Sequence, residues 1–153
     1  MSQVSAQAAL TRIMDELRKA TGALRTTVRV DHAPLGFGVD LPAAESREAG
    51  ATSLIGQGAI DQRAASTIHW MVRERRTLVQ PSFDGGDPTP PQALIDAYGV
   101  TAQMLGPLFV NGHLQGWVSV HAAGGPRDWS EDDVAALEAA VESIRSQLGL
   151  DGP

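Results

Sequence analysis

The sequence predicts an α+β domain in which an antiparallel sheet is covered by helices from both ends of the chain. Three observations lead to this class. An amphipathic helical pattern stands near each end of the chain, and two strand-like runs in the second half are joined by Asn111-Gly112. Asn-Gly supplies the positive φ that a type I′ hairpin requires at both central positions. Because strands joined by such a turn pair antiparallel, the terminal helices are left to cover the sheet.

The two terminal helices are defined by the spacing of their apolar residues. The first is predicted over Ala6–Thr21, where apolar residues recur every three or four positions, and Gly22 is a C-terminal stop. The last is predicted to begin at Ser130, a capping residue, with apolar positions from Val134 to Leu148 at the same spacing. Each helix therefore has one apolar stripe to bury.

Four strands and a middle helix are predicted between these ends. Alternation of apolar and polar residues indicates a strand at Leu24–His32. A helical stripe runs through Ile60–Arg76, and Thr77–Phe83 follows as a short edge strand. The hairpin is predicted from Val100–Val110 and His113–Ala122. The sheet is thus expected to be formed mainly by the second half of the chain.

The remaining segments are less regular. Gly36–Leu41 is predicted as a short second strand, and Ala43–Gly58 as a loop with at most one helical turn. Asp84–Pro91 is a breaker-rich loop, after which Pro90–Tyr98 is predicted as a short helix. We expect residues 1–153 to form a single domain, with disordered tails at 1–5 and 150–153, because 153 residues is the length of one typical domain.

Composition excludes several classes of function. The chain has no Cys, which excludes disulfides, thiolate metal sites and thiol nucleophiles. Its net charge of −6 disfavours binding to nucleic acid or to an anionic membrane. The four histidines lack the spacing of a metal site, and we expect no cofactor. Neither a secretory signal nor an apolar run of the roughly 18–20 residues that cross a bilayer is found, so we expect a soluble cytoplasmic protein.

The second half of the chain resembles the end of a GAF domain. The family pattern is a strand ending in Pro-Leu, a polar turn, a strand with Gly-x-hydrophobic-x-hydrophobic, and a helix opened by Ser/Thr-x-x-Asp. The corresponding residues are Pro107-Leu108, Asn111-Gly112, Gly116-Trp117-Val118-Ser119-Val120 and Ser130-Glu131-Asp132-Asp133. The upstream order of helix, strand, helix and strand is also similar to that of the family, so the resemblance covers most of the chain.

The resemblance implies a GAF-like antiparallel sheet of five to six strands. Terminal helices would lie on one face, and loops and a helix would close a ligand pocket on the other. It also implies a sensory or regulatory module for small molecules, although a chain without Cys can neither attach a bilin through a thiol nor carry out the chemistry of free-methionine sulfoxide reductases. We expect a homodimer through the terminal helices, whose three-four spacing is typical of bundles, and a separate effector protein.

The polar faces of the first and last strands form the candidate site. If the Val-rich faces meet the terminal helices, the polar faces share the side where the family has its pocket. The candidate ligand-binding residues are Arg29, Thr27, Trp117, Ser119, His121 and His69. The first five suit a small carboxylate with an apolar body. His69 in the middle helix could cap the pocket; alternatively, one of His69 and Trp70 packs in the core and the other lies at the surface. The same pattern also suits a solvated face on which Arg29 pairs with Asp31 or a loop carboxylate and His121 lies at a solvated strand end.

Three functions remain open at this point. The leading one is a non-catalytic module that binds a small, possibly anionic, organic ligand and signals through its helices. The second is an enzyme with His121 as general base and Arg29 as anion clamp, which a buried His121 with a shifted pKa would favour. The third is a protein-binding adaptor whose pocket is filled by Trp117, Phe109 and Met104.

Overall fold

The computed structural model describes residues 1–55 and 61–153, which form four α-helices and one five-stranded antiparallel sheet. The helices are α1 (Gln3–Thr21), α2 (Ser66–Glu74), α3 (Gln92–Asp96) and α4 (Glu131–Gln147). The strands are β1 (Arg25–Val30), β2 (Ala44–Arg47), β3 (Leu78–Gln80), β4 (Ala102–Val110) and β5 (His113–Ala122). Their order in the sheet is β2-β1-β5-β4-β3, so the first and last strands are neighbours, and the predicted α+β class is confirmed.

Helices α1 and α4 cover one face of the sheet. Leu10 and Met14 of α1 and Leu137 of α4 pack in one cluster with Val28 and Val118, which confirms that the Val-rich strand faces meet the terminal helices. The buried hydroxyl of Thr26 donates to the carbonyl of Met14 at 2.7 Å, which ties β1 to α1.

The capping residues set the helix boundaries. Ser130 and Asp133 form the predicted capping box of α4. A second capping box, between Ser2 and Ser5, starts α1 at Gln3, so residues 3–5 form the first helical turn. The disordered tail expected at residues 1–5 is therefore shorter, because this Ser-Ser capping box extends α1 to Gln3. No helix in the described part of the chain is long and apolar enough to span a bilayer.

The predicted second strand is wrong in position. Gly36–Leu41 makes only one isolated bridge, between His32 and Phe37, and strand β2 forms at Ala44–Arg47 instead. Side chains satisfy the backbone of the earlier segment, since the amide of Val39 donates to the Asp31 carboxylate at 2.9 Å. The middle helix is also shorter than predicted: it is Ser66–Glu74, preceded by a 3₁₀ turn, and residue 60 lies outside the described residues.

The hairpin of β4 and β5 is confirmed, with positive φ at Asn111 and Gly112. It carries a bulge that sequence alternation did not indicate. Leu108 pairs with Gly116 and Phe109 with Leu114, which leaves residue 115 as an extra residue in β5. Unbroken alternation from Val118 would put Leu114 on the helix side, but the bulge turns it to the opposite face, where it packs with Phe109.

Gly116 lies where β1 passes closest to β5. A Cβ at this position would lie 2.8 Å from Val30 Cα and still closer to the carbonyl oxygen of Arg29, and backbone atoms cannot move aside. We expect Gly116→Ala to lower the free energy of unfolding by about 1–3 kcal/mol in a urea titration, which is typical of overpacking. Gly86→Ala is the matched control, because its Cβ would make only ordinary contacts and should leave stability within about 0.5 kcal/mol. Equal stability of the two variants would contradict this prediction.

Candidate ligand-binding cavity

A cavity of about 110 Å³ lies on the sheet face opposite α1 and α4. Its floor is formed by β1, β4 and β5, and its other walls by loop 40–42, Leu54, the start of α2, and the segment from α3 to Tyr98. A single water requires roughly 10–15 Å³ of such volume, so the cavity has room for a compact organic molecule. Trp117, Leu105 and Ile68 belong to one buried apolar cluster and form an apolar wall.

Four of the six predicted site residues line this cavity: Arg29, Trp117, Ser119 and His121. Thr27 is the cross-strand partner of Ser119 and lies on the same face of the sheet. It is buried, however, and does not line the cavity. His69 does not line the cavity: it is exposed, whereas Thr67 and Ile68 of α2 line the cavity. Since each helical residue turns the side chain by about 100°, the outcome depended on how α2 is rotated against the sheet.

Arg29 brings a half-buried positive charge to the cavity. Its Nη1 donates to the carbonyl of Val39 at 3.1 Å, and none of the ion pairs within residues 1–55 and 61–153 includes it. Burial lowers the pKa of Arg29, and the nearby carboxylate of Asp40 partly offsets this effect. Asp31, the alternative partner from the sequence, pairs with Arg63 at 2.6 Å instead. The guanidinium therefore reaches the cavity without a directly bonded carboxylate among these residues.

His121 is buried and neutral at physiological pH. Burial, with the charges of Arg25 and Arg29 acting in the same direction, lowers the pKa of His121 to about 3. Nη1 of Arg25 lies 3.0 Å from Nδ1 of His121. Because a guanidinium can only donate, Nδ1 accepts and the ring proton is on Nε2.

Arg25 is the main residue that sequence analysis missed. It is 0% exposed, donates to the carbonyl of Thr52 at 2.6 Å, and has Nε 3.8 Å from the Glu45 carboxylate. The strand alternation placed it on the same face as Arg29, which was the available signal. Its burial could not be anticipated, because it depends on β2 and residues 51–54 folding over the end of β1. Glu45 holds this segment by accepting from the hydroxyl of Ser53 and the amide of Leu54, both at 2.7 Å.

Gln103 is a second functional candidate that was missed. It is buried in β4, lines the cavity, and is the cross-strand partner of His121. Its Nε2 donates to Gln80 Oε1 at 2.8 Å. Sequence analysis gave it no role, since a glutamine in a strand is usually a solvated residue. In the described part of the chain, no cluster of three His, Asp or Glu side chains could hold a metal ion.

Comparison with known proteins identifies the family. A family model described as GAF domain matches residues 5–148, whereas no functionally curated protein matches the chain in sequence. The structure is similar to the blue-light absorbing form of the PixJ GAF domain from Thermosynechococcus elongatus, with 18% identity and a TM-score of 0.73 over 95% of this chain and 86% of that chain. It is also similar to the chromophore-binding domain of a Stigmatella aurantiaca bacteriophytochrome, with 20% identity and a TM-score of 0.71 over 94% of this chain and 54% of that chain. The chain therefore belongs to the GAF domain family.

Proposed function

We propose that this GAF domain is a sensory module that binds a small organic anion in the cavity behind its sheet. The fold supports a sensory role, because the similar structures include a cyanobacteriochrome receptor and the chromophore-binding domains of bacteriophytochromes. The absence of Cys means that any ligand of this chain is held without a thioether bond.

The observation that carries the proposal is the environment of Arg29. A charged group taken out of water is costly unless it is paired, and the described residues place no carboxylate in direct contact with this guanidinium. A bound carboxylate would pair with it in the two-pronged geometry that guanidinium groups favour. The apolar wall of Trp117, Leu105 and Ile68 suits the body of the same molecule. Asp40 also lines the cavity and limits the net charge that a ligand can bring.

The other two functions are less well supported. His121 is buried with a shifted pKa, but a pKa of about 3 makes it a weak base at neutral pH, so it is poorly matched to general base catalysis. The adaptor alternative required a filled pocket. Phe109 and Trp117 pack together on the cavity side, but Met104 points into the cluster under the helices, and the cavity remains open.

Strand β1 connects the proposed ligand to the terminal helices. Arg29 contributes to the cavity, whereas its neighbours Val28 and Val30 pack in the cluster under α1 and α4. A ligand that moves β1 would therefore change the packing of both helices, provided that it binds two arrangements with different affinity. We propose that the domain is a homodimer through the outer faces of these helices and acts on a separate effector protein. Sedimentation of the purified protein as a monomer at micromolar concentration would contradict the dimer.

Arg29→Met should weaken binding of a small carboxylate by about 10- to 100-fold, because it removes charge-assisted hydrogen bonds and keeps the side-chain volume. Calorimetric titration with benzoate measures this effect. Arg63→Met is the matched control, since Arg63 lies 5.9 Å from the ring of Trp117 but is itself exposed and paired with Asp31. The proposed function fails if benzoate and other small carboxylates give no saturable heat, or if Arg29→Met binds them as the wild type does.

A further inference from the structure

A row of buried polar side chains crosses four strands of the sheet beneath the cavity. Arg25 pairs with His121 across β1 and β5, His121 with Gln103 across β5 and β4, and Gln103 with Gln80 across β4 and β3. None of the four is more than 6% exposed. Buried polar atoms in proteins are almost always hydrogen-bonded, so any that lack a protein partner need an explanation.

One end of the row fixes His121 as a donor. Arg25 donates to Nδ1, which leaves the proton on Nε2, as described above. Within residues 1–55 and 61–153 no acceptor is hydrogen-bonded to Nε2, and His121 is one of the residues that line the cavity. The Nε2–H group is therefore available to a molecule in the cavity that His121 lines.

The other end of the row fixes Gln103 as an acceptor. The carbonyl of Pro88 can only accept, so the Gln80 side chain must turn its Nε2 toward it, at 2.8 Å. Gln80 Oε1 then accepts from Gln103 Nε2, and this leaves Gln103 Oε1. No donor from the described ranges is hydrogen-bonded to that oxygen, and Gln103 also lines the cavity.

We propose that His121 Nε2–H and Gln103 Oε1 together bind an uncharged hydroxyl group of the ligand at the floor of the cavity. Side chains of directly paired strand residues lie about 4.5–5.5 Å apart at Cβ, so both atoms can reach one group. A hydroxyl accepts from the first and donates to the second. This inference rests on the proposed function, in which Arg29 binds the anionic end, and it narrows the ligand class to small hydroxycarboxylates.

The groups around the row disfavour a cation, a second anion or a purely apolar group at this position. A cation would be repelled by Arg25 and Arg29, both of which act electrostatically on His121. A second anion would meet the lone pairs of Gln103 Oε1, which can accept but not donate. A purely apolar group would cover His121 Nε2–H and Gln103 Oε1 without offering either a hydrogen bond, at the cost of their desolvation.

The first test uses the free protein and needs no ligand. In ¹⁵N spectra of protein labelled at the histidine imidazoles, His121 should be the Nε2–H tautomer at pH 7 and should remain neutral at pH 5. His69, which is exposed and does not line the cavity, provides the reference imidazole signals in the same spectra. A proton on Nδ1 of His121, or a His121 that is charged at pH 5, overturns the inference whatever the ligand proves to be.

The second test compares benzoate with 3- and 4-hydroxybenzoate. At least one hydroxy derivative should bind about ten-fold more tightly than benzoate, as one well-made pair of hydrogen bonds allows. In Gln103→Met and in His121→Phe the hydroxy derivative should bind no more tightly than benzoate, whereas His69→Phe should retain the preference. Equal binding of all three acids to the wild type overturns the inference and leaves the anion site intact. If none of them binds, the proposed function fails, and the tautomer of His121 still decides the inference.

Discussion

Acidification from pH 6.5 to pH 4 should lower the free energy of unfolding of the wild type by about 3 kcal/mol more than that of His121→Gln. Burial and two nearby arginines hold the pKa of His121 near 3 in the folded state, against an ordinary value of 6.5 in the unfolded chain. Between these two values the unfolded chain binds a proton that the folded chain does not. Acid therefore favours unfolding, and stability is lost as the pH falls from 6.5 toward 3.

Urea denaturation followed by circular dichroism at pH 7, 6, 5 and 4 measures this difference. The glutamine can still accept from Arg25 but cannot titrate, so its curve should lack the histidine contribution of about 1.4 kcal/mol per pH unit. Carboxylates titrate in both proteins and cancel in the comparison. His69→Gln removes an exposed histidine and should behave as the wild type does. Parallel curves for wild type and His121→Gln would contradict this prediction, because they would show that His121 binds a proton equally well in the folded and unfolded protein.

Arg25→Met should lower the free energy of unfolding by about 3–5 kcal/mol, the range seen when one partner of a buried ion pair is removed. The variant keeps most of the side-chain volume but leaves the buried Glu45 carboxylate without its buried cation. It also removes the donors to His121 and to the carbonyl of Thr52, at 3.0 and 2.6 Å. Because a typical domain is stable by about 5–15 kcal/mol, this loss would be a large part of the total.

Arg47→Met is the matched control for this experiment. Arg47 also pairs with Glu45, at 3.4 Å, but its side chain is 45% exposed, and we expect a loss of at most about 1 kcal/mol. Adding Glu45→Gln to Arg25→Met should recover part of the stability, since the unpaired buried charge is then gone. Similar losses of stability from the two arginine variants, or no recovery in the double variant, would show that the contribution of Arg25 to the free energy of unfolding does not depend on its burial.

Two arginines of one strand thus have different roles although they share a face. Arg25 is buried and bonded to protein groups, so it orients His121, whereas Arg29 is half-buried beside the cavity and is placed to meet a ligand. The difference arises from what covers the strand. Residues 51–54 and Glu45 cover the end at Arg25, and the cavity lies over the end at Arg29.

Local sequence determined the elements whose signals are local. The Asn111-Gly112 turn, the capping box at Ser130 and the alternation of β1 and β5 each depend on residues within one element, and all three are found in the structure. Together with the GAF resemblance, they predicted the sheet, the helices on one of its faces and a ligand cavity on the other face. Successive residues of a strand lie on opposite faces of the sheet, so the face of each follows from its position in the alternation. A bulge such as the one beside Leu114 interrupts this alternation.

Only the tertiary structure decided which of these residues are neighbours. Arg25 and His121 are 96 positions apart in sequence, and their pairing is set by the register between β1 and β5, which alternation leaves open by steps of two residues. The rotation of α2, which exposes His69 and turns Ile68 to the cavity, was equally beyond local signals. Strand register and helix rotation are set by the packing of the whole core. That His121 Nε2 donates and Gln103 Oε1 accepts could therefore be deduced only from the pairing of the four strands.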